Sequence, residues 1–334
     1  MRLKTLLISL LLAPAIVAGA DSAGPPLSRF EYARLKMGTT FRIVLYASNQ
    51  AEARQAADQA FSRIDDLEAI LSHYRPDSEI SRLSASSGQG ERPVGVDLYR
   101  VLSASVRLAR LTDGAFDFTV GPVVLLWRES RRTHKMPDDG ALDRARKLVG
   151  YRNVEIRTDK HSVNLKKKGM QLDLSGVAKG YSAEQALLVL RSRGITRALV
   201  DAGGDIVVSD PPPGREGWRV AVEKPGPDTG PVRPILLINS AIATSGGTYQ
   251  YSEIQGKRYS HIVNPKTGVG STVPASATVI APDGMTADAL ATALCVMPPE
   301  EGLKLVESLP GVSALITIET PDGLERYRSS GFPP

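Results

Sequence analysis

Apolar residues recur at two different periods along this chain, and the order in which those periods alternate constrains the fold more than any other feature. Residues 32–47 read as two β segments around the turn Met37-Gly38-Thr39. Asn49 then supplies a helix N-cap, after which Ala57, Phe61, Ile64, Leu67 and Leu71 fall on one face at helical spacing. Residues 72–95 read as a polar loop, and a second helix is expected over 97–111 with Leu98, Val101, Leu102 and Leu108 inward. A Gly- and Pro-punctuated loop (112–122) leads to Trp127, and the basic stretch 128–135 reads as a solvated surface segment. A hairpin over 154–165 turns near Asp159-Lys160, a strand follows over 170–174, and a helix over 179–193 stops at Gly194. Short strands are expected at 198–201, 218–222, 235–238, 240–244, 257–263 and 275–280, with proline-rich surface turns at 211–213 and 225–234. Helices over 286–297 and 300–309 and a strand over 313–318 finish the chain. Strands come in groups with helices between groups, which predicts an α+β fold rather than a regular βαβ alternation.

Composition narrows the function classes. The chain has 334 residues, 42% of them hydrophobic, enough for one large domain or two intimately packed ones. The single cysteine, Cys295, excludes an internal disulfide, an iron–sulfur cluster and a cysteine zinc site. Lys and Arg number 41 against 36 Asp and Glu, the excess is dispersed, and aromatics are only 5%, so no nucleic-acid partner is expected. At the N-terminus Arg2 and Lys4 precede an apolar run from Leu6 to Ala18, and Ala18-Gly19-Ala20 offers a cleavage site. The run is shorter than the roughly 20 residues of a comfortable span. Residues 1–20 are therefore expected to be a cleaved signal peptide and 21–30 a linker, with 31–334 forming one domain of two lobes. No cysteine adjoins the cleavage site, so the protein is expected to be exported without a lipid anchor, to the periplasm of a Gram-negative host.

Few residues carry an obvious chemistry. His73, His134, His161 and His261 form no HxxxH or HExxH pair, and no GxSxG, Walker A or strand-following GxGxxG motif occurs. His134 and His161, set among basic residues, are expected to be solvated. Asp288 and Thr292 stand four apart on an expected helix, so both project from one face. Their hard oxygens suit Mg²⁺; equally, Asp288 would complement the helix N-terminus and Thr292 bond back to its own helix. The run from Asp173 to Gly180 turns a strand end into a helix, where backbone N–H groups and Lys179 would hold phosphate, or simply form a turn. His261 ends a strand before Asn264-Pro265, a structural position as readily as a catalytic one.

In sequence order, these segments resemble the ApbE family of FAD:protein FMN transferases. The matching pieces are Met37-Gly-Thr39, the stretch from Tyr74 to Leu83, and Thr112-Asp-Gly-Ala-Phe-Asp117 with Thr119 and Trp127. They continue through Asp173 to Gly180, Gly203-Gly-Asp205, Thr244-Ser-Gly246, Gly256 to His261, and Ala287 to Thr292. The resemblance implies an ApbE-like, T-fold-related fold of mixed or antiparallel sheets with packed helices. It implies Mg²⁺-dependent cleavage of FAD at its pyrophosphate, with FMN attached to a threonine or serine of an acceptor protein and AMP released. By that resemblance Asp288, Thr292 and the Gly176 carbonyl would hold magnesium. Met37, Tyr74, Ala115, Phe116, Asp117, Asp173, Lys179 and Ile262 would contact FAD. His261 would assist proton removal from the acceptor hydroxyl, with Lys179 as the other catalytic group. The partner implied is an exported domain of a membrane redox complex. Asn264 stands where the family usually has Asp, and Ser84 where it often has Asn. FAD hydrolysis to FMN and AMP, or flavin binding without turnover, are the competing activities; retention of Asp288, Thr292 and Lys179 argues against the latter.

Overall fold

The computed structural model describes residues 26–222, 234–247 and 251–334. The expected signal peptide, the first half of the linker, and all of the second proline-rich turn except Pro234 lie outside the described residues. Strand β1 (Ser28–Lys36) pairs antiparallel with β2 (Thr39–Ala47), so the last residues expected in the linker already belong to a sheet. Asn49 caps α1 (Gln50–Leu71) as the sequence predicts, its side chain accepting from the Glu52 N–H at 2.9 Å.

The expected loop over 72–95 holds two short elements, α2 (Glu79–Ala85) and β3 (Glu91–Pro93). The Ser78 hydroxyl caps α2, and Ile80 and Leu83, three apart, bury its one apolar face. After α3 (Val96–Leu111), the basic stretch proves to be part of α4 (Gly121–Thr133), whose Val123, Trp127 and Ser130 are buried. That helix is followed by α5 (Asp139–Arg146) and the expected hairpin of β4 (Val154–Arg157) and β5 (Ser162–Leu165). Residues 170–174 are extended and their apolar side chains buried, but they form no strand beyond a bridge from Gln171 to Val120. Their N–H groups go elsewhere: Leu172 donates to Ser84 Oγ and Asp173 to the Phe118 carbonyl.

The remaining chain runs through α6 (Ala178–Ser192), β6 (Ala198–Ala202), β7 (Ile206–Val208), β8 (Trp218–Val220), β9 (Ile235–Leu237), β10 (Ser240–Gly246), β11 (Tyr251–Ile254) and β12 (Lys257–Ser260). It closes with β13 (Ala275–Ala281), α7 (Gly284–Leu294), α8 (Pro299–Glu307), β14 (Ser313–Thr320) and β15 (Gly323–Arg328). The sequence did not lead us to expect β7, β11 or β15; the last is an edge strand with no buried residue and so no apolar alternation. Eight strands make one antiparallel sheet in the order β1-β2-β6-β7-β10-β13-β14-β15.

Strand alternation sorts this sheet into two faces. Phe41, Ile43, Leu45, Ala243, Ala277 and Val279 face a core closed by α1, α6, α7 and α8. Val44, Leu199, Val208 and Ile242 face the opposite way, where the β8–β9 hairpin covers them with Trp218, Val220, Ile235 and Leu237. A separate core gathers α2, α3, β4, β5 and the extended 170–174 segment against Ala289 and Ala293 of α7. Helix α7 therefore belongs to both cores.

The seam between α6 and α7 depends on two glycines. A Cβ on Gly180 would lie 2.1 Å from the Gly284 carbonyl oxygen, and one on Gly284 would lie 2.4 Å from the Gly180 oxygen. Backbone meets backbone, so neither obstacle can rotate aside. Gly180→Ala is expected to cost about 3 kcal/mol, the upper range for overpacking, read from the shift in urea midpoint.

Candidate active site

The glycine contact sets the N-terminal turns of α6 and α7 side by side; Lys179 stands on the first of them, Asp288 one turn into α7 and Thr292 near the end of that helix. Asp283, and not Asp288, caps α7: its carboxylate accepts from the Thr286 N–H and hydroxyl, both at 2.8 Å. Asp288 is released from that task and points into the seam, 2% exposed, where the Gly180 N–H reaches its Oδ2 at 3.4 Å. It lies deeper than the open cleft expected for a metal ligand. Burial, together with the charge of Asp205, pushes its pKa up to about 8, against the pull of Lys179.

Lys179, one residue before Gly180, makes an ion pair with the buried Asp205 of the Gly203-Gly204-Asp205 turn. Burial opposes its charge, but Asp205, Asp288 and Asp201 outweigh that and hold the ammonium above the ordinary lysine range. It keeps 31% of its side chain accessible, so the charge stands at the mouth of the seam. The turn bearing Asp205 is docked on the β1–β2 turn: a Cβ on Gly203 would meet Thr39 Oγ1 at 2.2 Å.

Gly176 and Thr292 also meet. A Cβ at Gly176 would lie 3.0 Å from Thr292 Oγ1 and 3.2 Å from the Phe116 ring. The Thr292 hydroxyl is 3.3 Å from Ser245 Oγ at the end of β10. The donor set is thus one carboxylate, one hydroxyl and a neighbouring backbone carbonyl, all hard oxygens. Among the described residues no three His, Cys, Asp or Glu side chains cluster to hold a metal. A hard divalent cation that keeps waters and substrate oxygens fits this small oxygen set and the poorly compensated Asp288 carboxylate.

The predicted flavin contacts divide into groups. Met37 sits in the β1–β2 turn at φ +49°, donates its N–H to Glu68 Oε2 at 3.1 Å and packs against both large cores. Ala115 and Phe116 belong to the loop after α3, Phe116 beside Gly176. Asp117 is committed to that loop: its oxygens accept from Thr119 N–H and hydroxyl and from the Tyr151 N–H. Burial raises its pKa despite these bonds. Asp173, 6% exposed, accepts from the Ser175 N–H and hydroxyl, while Tyr74 is 71% exposed. Ile262 is buried in the core under the large sheet.

β12 ends at Ser260, so His261 stands in the turn after it, half-buried, rather than within a strand running to 263. The end of β10 ties it to the metal pair: two residues after Ser245, a Cβ on Gly247 would meet Ser260 Oγ at 2.7 Å. Asn264 shapes the following turn, its Oδ1 accepting from the Lys266 N–H at 2.9 Å, a task that amide and carboxylate perform alike. Trp127 pins the same turn by donating its indole N–H to the Gly268 carbonyl at 2.7 Å. His134 is exposed as expected, as is His161, which also stacks on Tyr99 at 4.5 Å. Cys295 is buried at the end of α7 with its thiol pushed up to about 12 by burial, so it is no nucleophile at neutral pH.

Sequence reading passed over three residues. Asp205 was visible only as the end of a Gly-Gly turn, and its pairing with Lys179 is non-local. His73 and Arg128 contact Asp173 and each other. Arg128 was hidden in a run of basic residues.

Comparison with known proteins places the chain in a family. Residues 37–316 match the ApbE family, and the chain belongs to that family. An FAD:protein FMN transferase of Vibrio cholerae is 34% identical over 327 residues, covering 96% of this chain and 95% of the relative. One of Treponema pallidum is 33% identical, covering 94% and 91%. The solved structure of the flavin transferase ApbE from Vibrio cholerae superposes with a TM-score of 0.83 at 32% identity, covering 92% of this chain and 99% of that one.

Proposed function

We propose that this protein transfers FMN from FAD to a threonine or serine hydroxyl of an exported acceptor protein and releases AMP. The observation that carries the reading is the apposition of Lys179 and Asp288 at the Gly180–Gly284 contact, with Gly176, just before α6, against Thr292 one turn further along α7, in a member of this family. Three features support a pyrophosphate substrate there: a cation at the mouth, two positive helix ends, and oxygen ligands behind.

In this reading the acceptor hydroxyl oxygen attacks the FMN-side phosphorus of FAD. A new P–O bond forms, the bridging P–O bond to AMP breaks, and AMP carries the bond's electron pair away. The hydroxyl proton goes to a ring nitrogen of His261. Lys179 offsets the negative charge that accumulates on the phosphate oxygens. Asp288, Thr292 and the Gly176 carbonyl would hold Mg²⁺, which when bound supplies Lewis-acid stabilisation of those oxygens. Phe116 and Met37 contribute apolar walls for a flat ring system. The acceptor is a domain of a membrane redox complex, and the enzyme reaches it by export through the signal peptide over 1–20.

Loss of the Asp288 carboxylate should abolish AMP release, because it removes a magnesium ligand while relieving a buried charge. Mg²⁺ should raise the melting temperature of the wild type by binding the native state and leave Asp288→Ala unmoved. AMP release by Asp288→Ala at the wild-type rate would refute the metal assignment. His261→Ala should slow transfer by roughly 10²–10⁴-fold, the usual worth of a general base, with FAD affinity little changed; an unaltered rate would remove His261 from the mechanism. N-terminal sequencing of protein from its host should begin at or near Asp21, and an intact Met1 would count against export.

A further inference from the structure

One charged cluster of the molecule takes no part in the chemistry above, and it lies directly behind Tyr74. The Arg128 guanidinium covers one face of the Tyr74 ring, with Cζ 4.0 Å from the centroid. Tyr74 is nevertheless 71% exposed, so the opposite face is open. Arg128 is aimed by a short relay: it contacts His73 Nε2, and His73 Nδ1 lies 3.3 Å from Asp173 Oδ1. A second guanidinium contact approaches Asp173 Oδ2 at 4.0 Å. The His73 ring also packs against Tyr74, with centroids 4.2 Å apart.

Donor rules fix the protonation of this relay. Arginine can only donate, so His73 Nε2 must accept, and the single ring proton sits on Nδ1, 3.3 Å from Asp173 Oδ1. Burial lowers the His73 pKa; Asp173 pulls it up and Arg128 pushes it down, leaving it below the ordinary imidazole range. A second proton would place an N–H on Nε2 against the guanidinium, removing its acceptor and adding a like charge. Asp173, 6% exposed, and His73, with 13% of its side chain accessible, are anchored in protein, whereas Tyr74 reaches solvent and Arg128 keeps 28% of its side chain accessible.

We propose that Arg128, aimed by neutral His73 and Asp173, is a positioning residue that holds Tyr74 as a one-faced stacking platform for a flat ring of FAD. The inference rests on the FAD reading above and adds to it the group that orients the platform. An aromatic side chain on a loop otherwise pays rotamer entropy to stack on a ligand; the guanidinium removes that freedom beforehand and leaves a single face available.

The test is FAD binding, followed by flavin fluorescence from pH 5 to 7.5, for wild type, Arg128→Leu and His73→Gln. The glutamine offers one acceptor and one donor but does not titrate. At pH 7.5, Arg128→Leu should bind FAD about tenfold more weakly with an unchanged melting temperature. Wild-type affinity should fall as the pH drops through the His73 transition, and the fall should vanish in His73→Gln, which separates His73 from His261 and the carboxylates. Wild-type affinity in Arg128→Leu, or an unaltered pH profile in His73→Gln, would overturn the inference. If Arg128→Leu is unstable, the His73→Gln profile decides alone. A wild-type protein that binds no FAD at all would overturn the functional reading and this inference with it.

Discussion

Two helix N-termini meet backbone to backbone at Gly180 and Gly284, and the candidate site exists because no side chain separates them. Each helix end leaves N–H groups without intrahelical partners and carries a partial positive charge. Brought together, the two ends lie at one corner between the large sheet's helical layer and the second core. The same contact fixes Lys179 one residue before the crossing and Asp288 one turn after it. Neither residue could be placed so closely by α6 or α7 alone.

The electrostatics of the corner follow from that packing. Asp288 and Asp205 are buried carboxylates, and Lys179 is the cation set between them. A carboxylate whose pKa rises to about 8 is short of positive partners, and the missing charge is of the kind a divalent cation would bring. In the proposed function the tension among these groups serves a substrate complex and not stability, since an isolated buried ion pair contributes little to folding.

Much of this was legible in the sequence, and the parts that were not share a cause. Helix α1 announced itself through Asn49 and the Ala57-to-Leu71 stripe, and the grouping of strands gave the α+β class. The seven-residue α2 and the edge strand β15 were missed because a short or wholly exposed element leaves little periodic signal. The strand expected at 170–174 has the right alternation but no neighbouring strand to pair with, which local pattern cannot reveal. In the site, Asp288 and Thr292 could be put on one face by spacing, yet spacing left open whether Asp288 caps its helix. Asp283 holds that post in the structure, which frees Asp288. The Lys179–Asp205 pair, the relay from Arg128 to Asp173 and the Gly180–Gly284 contact all join residues far apart in the chain. Only the ordered set of motifs hinted that they meet.

The most direct measurement is a crystal structure of the protein grown with FAD and Mn²⁺ in place of Mg²⁺, read by anomalous scattering. The account predicts a manganese peak between the Asp288 carboxylate, the Thr292 hydroxyl and the Gly176 carbonyl, with the FAD pyrophosphate beside Lys179 and a flavin or adenine ring on the open face of Tyr74. Manganese bound elsewhere, or FAD lying away from the α6–α7 seam, would contradict it.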